Sequence, residues 1–175
     1  MNVERRSTDL PPDSAAPPSL RQLVTFTVAD AHYCVDIMAV REIRAWRGAT
    51  RLPRAPDDIL GVINLRGAIV PVIDLKFRFG HGPSAPAPGH VVVIIASGGG
   101  QIGLLADGVT GIIAVEPGKI VPVPGAGGPD PAPMFEGLIA IEGALTALIA
   151  LEHLTQRRSG FVTAPPAQHE AALPC

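Results

Sequence analysis

The chain has 175 residues, 47% of them hydrophobic, with a formal net charge of −2 at pH 7 and a pI near 6.2. That length suits one domain or two small ones, able to bury roughly 70% of the surface the unfolded chain would expose. With few aromatic residues and no run of Lys or Arg, the composition argues against a nucleic-acid surface and points to a protein partner.

In chain order, residues 1–20 are rich in Pro, Ala, Ser and charge without sustained periodicity, which predicts a disordered tail. Arg5 and Arg6 do not make a twin-arginine export signal, because Ser7 to Ser19 is polar and proline-rich where an apolar stretch would have to follow. Short β-rich runs then alternate with Gly, Pro and Asp, predicting strands over Leu23–Val28, Tyr33–Ile37, Val40–Trp46, Ile59–Leu65 and Ala68–Leu75. A helical turn over Leu75–Phe79 and a Gly/Pro-rich connection, His81–Gly89, close this half. Five more strands are predicted over Val91–Ser97, Gln101–Ala106, Gly111–Val115, Leu138–Ile141 and Ala144–Leu151. A proline-rich loop, Val115–Pro133, interrupts them, and a second helical turn follows over Leu151–Arg158. The folded region is expected over 21–155, with a second disordered tail over 156–175. The longest apolar runs, Val91–Ala96 and Thr146–Leu151, fall far short of the roughly 20 residues that span a bilayer, so a soluble chain without membrane insertion is expected.

One stretch is written twice. Gly61 to Leu75 reads GVINLRGAIVPVIDL, and 76 residues later Gly137 to Leu151 reads GLIAIEGALTALIAL, with six of fifteen positions identical. A looser echo places Tyr33, Val35, Val40 and Ile43 69 residues before Ile102, Leu104, Val109 and Ile112. Repetition at a long fixed offset indicates two copies of one supersecondary design. Short, evenly spaced strands with tight turns favour small antiparallel barrels, whose closure removes exposed edges. The expected architecture is therefore mainly all-β: two tandem five-stranded barrels with short helical turns. The first would take about 36–80 together with the strands of 23–35, and the second about 90–152.

The repeat also separates scaffold from chemistry. Apolar and glycine positions match between copies, whereas Asn64, Arg66, Pro71 and Asp74 face Ala140, Glu142, Ala147 and Ala150. Arg66 precedes Gly67 in a predicted tight turn. Asn64, Arg66 and Glu42 lie among Val40, Ile43, Val62 and Ile63, a mixture suited to a groove with an apolar floor and charged anchors. For Asp74, capping the turn after a strand is the simpler role, and for Pro71 an edge or bulge position. Gly98, Gly100 and Gly103 satisfy G-x-G-x-x-G, but a dinucleotide site needs a helix after the glycines, and the repeat puts a strand at Gln101–Ala106. The five histidines lack metal-ligand spacing, and no nucleophile elbow or marked carboxylate pair is present, so no catalytic residues, cofactor or metal are expected. Cys34 and Cys175 suggest neither a disulfide framework nor a zinc site, which fits a reducing cytoplasm. A polar cluster at Asn64, Arg66 and Asp74 holding a small anion is the competing reading; it lacks further convergent donors.

The string VREIRAWRGATRLPRAPDDILGVINLRGAIVPVIDLKFRFG, Val40 to Gly80, closely resembles the signature region of the CheW-like family of bacterial chemotaxis coupling proteins. The likeness extends with lower fidelity from Leu23 through Leu154, taking in HYCVDI, IGLLADGV and FEGLIAIEG. It implies two SH3-like five-stranded barrels and a non-catalytic adaptor that joins chemoreceptor cytoplasmic tips to the regulatory domain of a CheA-type histidine kinase. It further implies cytoplasmic location with recruitment to the inner face of the membrane through receptors, and pairing with other CheW-like domains in rings. The positions matching the family's receptor groove between the barrels are Val40, Glu42, Gly61, Asn64, Arg66 and Gly67, with Pro71, Asp74 and Asp107 as structural or secondary-contact residues. A coupling role in a non-flagellar pathway, such as one serving type IV pili, development or gene expression, is the alternative within the family. Ala150 and the Gly/Pro-rich Ala126–Pro133 depart from the family pattern on the second-barrel side.

Overall fold

The computed structural model describes residues 19–97, 100–124 and 134–156. All of Ala126–Pro133 and the expected tails up to residue 18 and from residue 157 lie outside them. Ten strands form: β1 (Arg21–Val28), β2 (Ala31–Asp36), β3 (Val40–Ala45), β4 (Ile59–Leu65), β5 (Ala68–Asp74), β6 (Val91–Ser97), β7 (Gly100–Ala106), β8 (Gly108–Val115), β9 (Phe135–Ile141) and β10 (Ala144–Ile149). The short helices α1 (Leu75–Arg78) and α2 (Leu151–Gln156) each follow the last strand of a half. β4 and β6 fall on their predicted residues, and the other strands lie within three residues of theirs.

The strands build two five-stranded SH3-like barrels, but not one per half. One sheet runs β8-β1-β2-β10-β9 and the other β3-β6-β7-β5-β4. This corrects the division into barrels of 36–80 with 23–35 and of 90–152. Each barrel takes three strands from one half and is completed by the first hairpin of the other half. Insertion of that hairpin creates one parallel join per sheet, Val72–Asp74 with Gly103–Leu105 and Thr146–Leu148 with His32–Cys34, in otherwise antiparallel ladders. Local sequence pattern reports which residues are extended; it carries no record of which strand lies alongside, and this is why the exchange escaped it.

Alternation along each strand splits the core into three parts. On β6, Val92 and Ile94 point into their own barrel with Leu65, Val70, Val72 and Leu105, while Val93 and Ile95 join the apolar layer between barrels. That middle layer is the largest, uniting Val24, Phe26, Val35, Ile73, Leu104 and Leu75 from both sheets. Leu23, Cys34, Val115, Ile139 and Leu148 fill the other barrel. At ~1.5–3 kcal/mol for each large apolar side chain fully removed from water, the middle layer makes the two barrels one folding unit.

The turns explain the repeated glycines. Arg66–Gly67 and Glu142–Gly143 both adopt left-handed backbone, with φ of 51° and 89° in the first turn and 49° and 85° in the second. This is the two-residue hairpin geometry that places glycine second. Gly61 and Gly137 serve a different purpose. A Cβ on Gly61 would lie 2.8 Å from the Thr50 carbonyl carbon, and one on Gly137 2.9 Å from the Val121 carbonyl oxygen. Thr50 and Val62 exchange two backbone hydrogen bonds at 2.8 and 2.9 Å, and Val121 and Leu138 do the same at 2.9 and 2.7 Å. These paired bridges bring each long connection back onto its barrel.

Candidate protein-binding site

The six expected groove residues fall on one barrel: Val40 and Glu42 on β3, Gly61 and Asn64 on β4, Arg66 and Gly67 at the β4–β5 turn. Two pairs among them are in contact. Arg66 Nη2 lies 3.7 Å from Glu42 Oε2, with the Arg66 side chain 85% exposed and that of Glu42 28%. The Gly67 N–H donates to Asn64 Oδ1 at 2.9 Å, so Asn64 fixes the turn that presents Arg66. Val40 packs half-buried against the middle layer, and Gly61 admits the Thr50 backbone; both shape the surface from beneath. Exposed Ile43 on β3 and Ile69 on β5 supply apolar area on the same barrel. Charged tips beside exposed aliphatic side chains suit an interface with a protein rather than an enclosed ligand site.

Asp74 is 1% exposed and bound from three sides. It accepts from the Phe77 N–H at 3.1 Å, capping α1, and from the Ser84 N–H and hydroxyl at 2.7 and 2.6 Å. It is a structural residue that ties the chain after α1 to the end of β5. This arrangement also disposes of the anion-site reading, since a carboxylate already holding three donors repels an anion. Pro71 sits opposite Val62, whose N–H and C=O both turn to Thr50, and ahead of the Val72–Asp74 join to β7. The strand therefore loses no ladder bond to the missing proline N–H. Asp107, between β7 and β8, accepts from the Ala29 N–H at 2.7 Å and approaches His90 Nε2 at 3.3 Å, while His90 Nδ1 accepts from the Ala87 N–H. It thereby links the β1–β2 turn of one barrel to the entry of β6 in the other. β7 pairs with β6 in register through Gly103↔Ile94, and Gly103 admits Val92 where a Cβ would lie 2.6 Å from its Cγ1, so this glycine serves barrel packing.

Two features carried no readable sequence signal. Arg21 on β1 donates from Nε to Asp36 at 2.8 Å and forks onto the Glu136 carboxylate of β9, joining residues 15 and 115 positions away. The Glu136 hydrogen bond raises the Arg21 pKa, against the opposing effect of burial. Burial works to raise the Asp36 pKa, but the Arg21 hydrogen bond, the Met38 N–H and the Arg21 charge together hold it below the usual carboxylate range. The second feature is a groove of about 500 Å³ between the end of β3 and β4, floored by Trp46, Ile63 and Val92 and walled by Arg44 and Arg47. Burial pushes the Cys34 thiol up to about 12, so it behaves as a core residue rather than a nucleophile. Among the described residues, no group of three or more His, Cys, Asp or Glu is placed to hold a metal ion, and no helix is long and apolar enough to cross a membrane.

The comparisons with known proteins agree with this geometry. A chemotaxis protein CheW of Rhizobium meliloti is 41% identical over 132 residues, which span 75% of this chain and 85% of that protein. A chemotaxis protein CheW of Klebsiella aerogenes is 32% identical over 134 residues, 77% of this chain and 81% of that one. The crystal structure of the scaffolding protein TtCheW from Thermoanaerobacter tengcongensis superposes with a TM-score of 0.68 at 32% identity, covering 80% of this chain and 90% of that one. The family model of the CheW-like domain matches residues 22–159, almost the whole of the two interleaved barrels, and the chain belongs to that family.

Proposed function

We propose that this protein is a non-catalytic chemotaxis adaptor that couples the cytoplasmic tips of chemoreceptors to the regulatory domain of a CheA-type histidine kinase. The observation that carries the reading is the β4–β5 turn. It presents a largely exposed arginine, braced at its base by Asn64 and offset by a partly exposed Glu42, on the barrel that also exposes Ile43 and Ile69. An amphipathic receptor helix meets such a surface by laying its apolar stripe on the isoleucines and its carboxylates on Arg66.

Support for ring assembly comes from the repeat. The second barrel exposes Ile112 and Leu145 at positions equivalent to Ile43 and Ile69, and its turn carries Glu142 where the first carries Arg66. Equivalent surfaces of opposite charge favour head-to-tail pairing with the related barrels of other CheW-like domains, a heterologous contact that closes into rings when its rotation permits. Many weak contacts held together in this way act at high effective concentration, so receptor conformation biases the kinase through the shared assembly. Such an adaptor works in the cytoplasm and reaches the membrane's inner face through its receptors.

Titration calorimetry of the protein against a receptor cytoplasmic fragment and, separately, the kinase regulatory domain tests the proposal. Both should bind. Arg66→Ala should weaken the receptor arm alone by about 1.5–3 kcal/mol, the range for a charge-assisted hydrogen bond. Binding to neither, by a protein that melts normally, would sink the reading.

A further inference from the structure

Between Arg41 and Arg54 the chain carries five exposed arginines, at 41, 44, 47, 51 and 54, and only one carboxylate, Glu42. Among the described residues none of the five forms a salt bridge, whereas Glu42 is engaged by Arg66. A chain whose net charge is −2 thus concentrates positive charge on β3 and the connection that follows it. Two of the five, Arg44 and Arg47, line the groove between β3 and β4. Among the described residues the barrel is not closed by a ladder at that seam: β3 and β4 are the two ends of their sheet, and β4 is bridged beyond β5 only at Val62, by Thr50. The seam therefore offers three things together, namely the outer edges of two sheet-end strands, met at Val62 by Thr50, an apolar floor continuous with the barrel core at Trp46, Ile63 and Val92, and the guanidinium groups of Arg44 and Arg47.

We propose that this seam binds an extended, acidic segment of a partner protein, which lies along the strand edge, places one apolar side chain on Trp46 and pairs its flanking carboxylates with Arg44 and Arg47. Strand addition satisfies backbone groups that an exposed edge leaves open, and guanidinium forks match carboxylates in paired geometry. The recess, about 500 Å³, takes inserted side chains. A flat lipid surface would meet the arginines and leave the apolar floor empty, which is why a protein segment is the occupant. The groove adjoins the proposed receptor surface through Asn64, which lines it and braces the Arg66 turn, but its arginines and Trp46 are not part of that surface.

The test is selection of random nine-residue peptides displayed on phage against the full-length protein and against R44E/R47E. Wild type should enrich sequences with an aromatic or aliphatic residue flanked by Asp or Glu, and the double variant should not. A synthetic copy of the leading sequence should shift the emission of Trp46, the one tryptophan in the chain, and bind R44E/R47E at least 10-fold more weakly. If the charge reversal lowers the melting temperature, R44Q/R47Q replaces it, with the same direction expected. The proposal is overturned by absence of enrichment, by peptides that tolerate the double substitution, or by peptides that leave Trp46 emission unchanged. Binding to phosphatidylglycerol vesicles in preference to every selected peptide would assign the patch to lipid and overturn it equally.

Discussion

Arg66 and Glu142 occupy the same corner of two equivalent hairpins, with φ of 51° and 49°. Left-handed backbone costs a side-chain-bearing residue roughly 1–2 kcal/mol, and both residues meet that cost. Glycine would relieve it, less the ~0.4–1 kcal/mol that its freer unfolded chain takes back. Arg66→Gly should therefore melt at or slightly above wild type while losing receptor-fragment affinity, as read by thermal denaturation and calorimetry on the same preparation. A marked fall in melting temperature would show that the arginine is held for the fold instead.

The paired glycines should respond unequally. Gly61 combines a φ of 147° with direct approach to the Thr50 backbone, whereas at Gly137 a Cβ would meet the Ile120 Cγ2 methyl and the Val121 carbonyl oxygen but without a left-handed φ to add strain. Strain of ~1–3 kcal/mol adds to overpacking of similar size at Gly61. Gly61→Ala should lose more than about 2 kcal/mol by urea unfolding and Gly137→Ala clearly less. Equal losses would mean that the two bridges contribute alike.

Asp74→Ala removes a helix cap and leaves the Ser84 hydroxyl and N–H without their acceptor in a partly buried setting. Loss of about 3 kcal/mol is expected from a cap worth ~1 kcal/mol and charge-assisted bonds worth more. Asn, which keeps one oxygen acceptor, should recover part of it. Unfolding curves for the two variants decide the point.

The Arg21 network gives a sign for pH dependence. The folded-state pKa of Asp36 is depressed, so its contribution is present above the ordinary carboxylate value near 3.9 and is lost as pH falls through the lower folded value. Arg21→Met should cost about 1–2 kcal/mol at pH 7, modest because both partners are partly exposed, and the gap to wild type should narrow below about pH 4. Urea midpoints from pH 7 to 3 measure it. A gap that stays constant into acid would assign the effect to packing of the arginine stem.

Strand positions were legible because alternation and turn residues are local signals. Val91–Ser97 and Ile59–Leu65 were read to the residue from their apolar runs and flanking glycines. The exchange of hairpins was not, since nothing in β6 states that its neighbour is β3 rather than another strand of its own half. At the site, the asymmetry between copies marked Asn64 and Arg66, and Glu42 proved to lie beside Arg66. The Arg21–Glu136 contact spans 115 residues and stayed hidden for the same reason as the exchange. The Arg44–Trp46–Arg47 wall was visible as residues but not as a wall, because it exists only where two sheet edges face each other across the open seam.

The exchanged hairpins constrain how the molecule can pass on a push. Each barrel is locked by a pair of strands that leave directly into the other, and Asp107 ties the same crossing from outside through Ala29. Parting the lobes would strip no ladder, because every ladder among the described residues lies within one barrel; it would expose to water the apolar layer that the two sheets share. A load applied at Arg66 on one barrel has that packed layer as its path to Glu142 on the other. The molecule thus carries force as one packed body with two faces, not as two lobes on a strap.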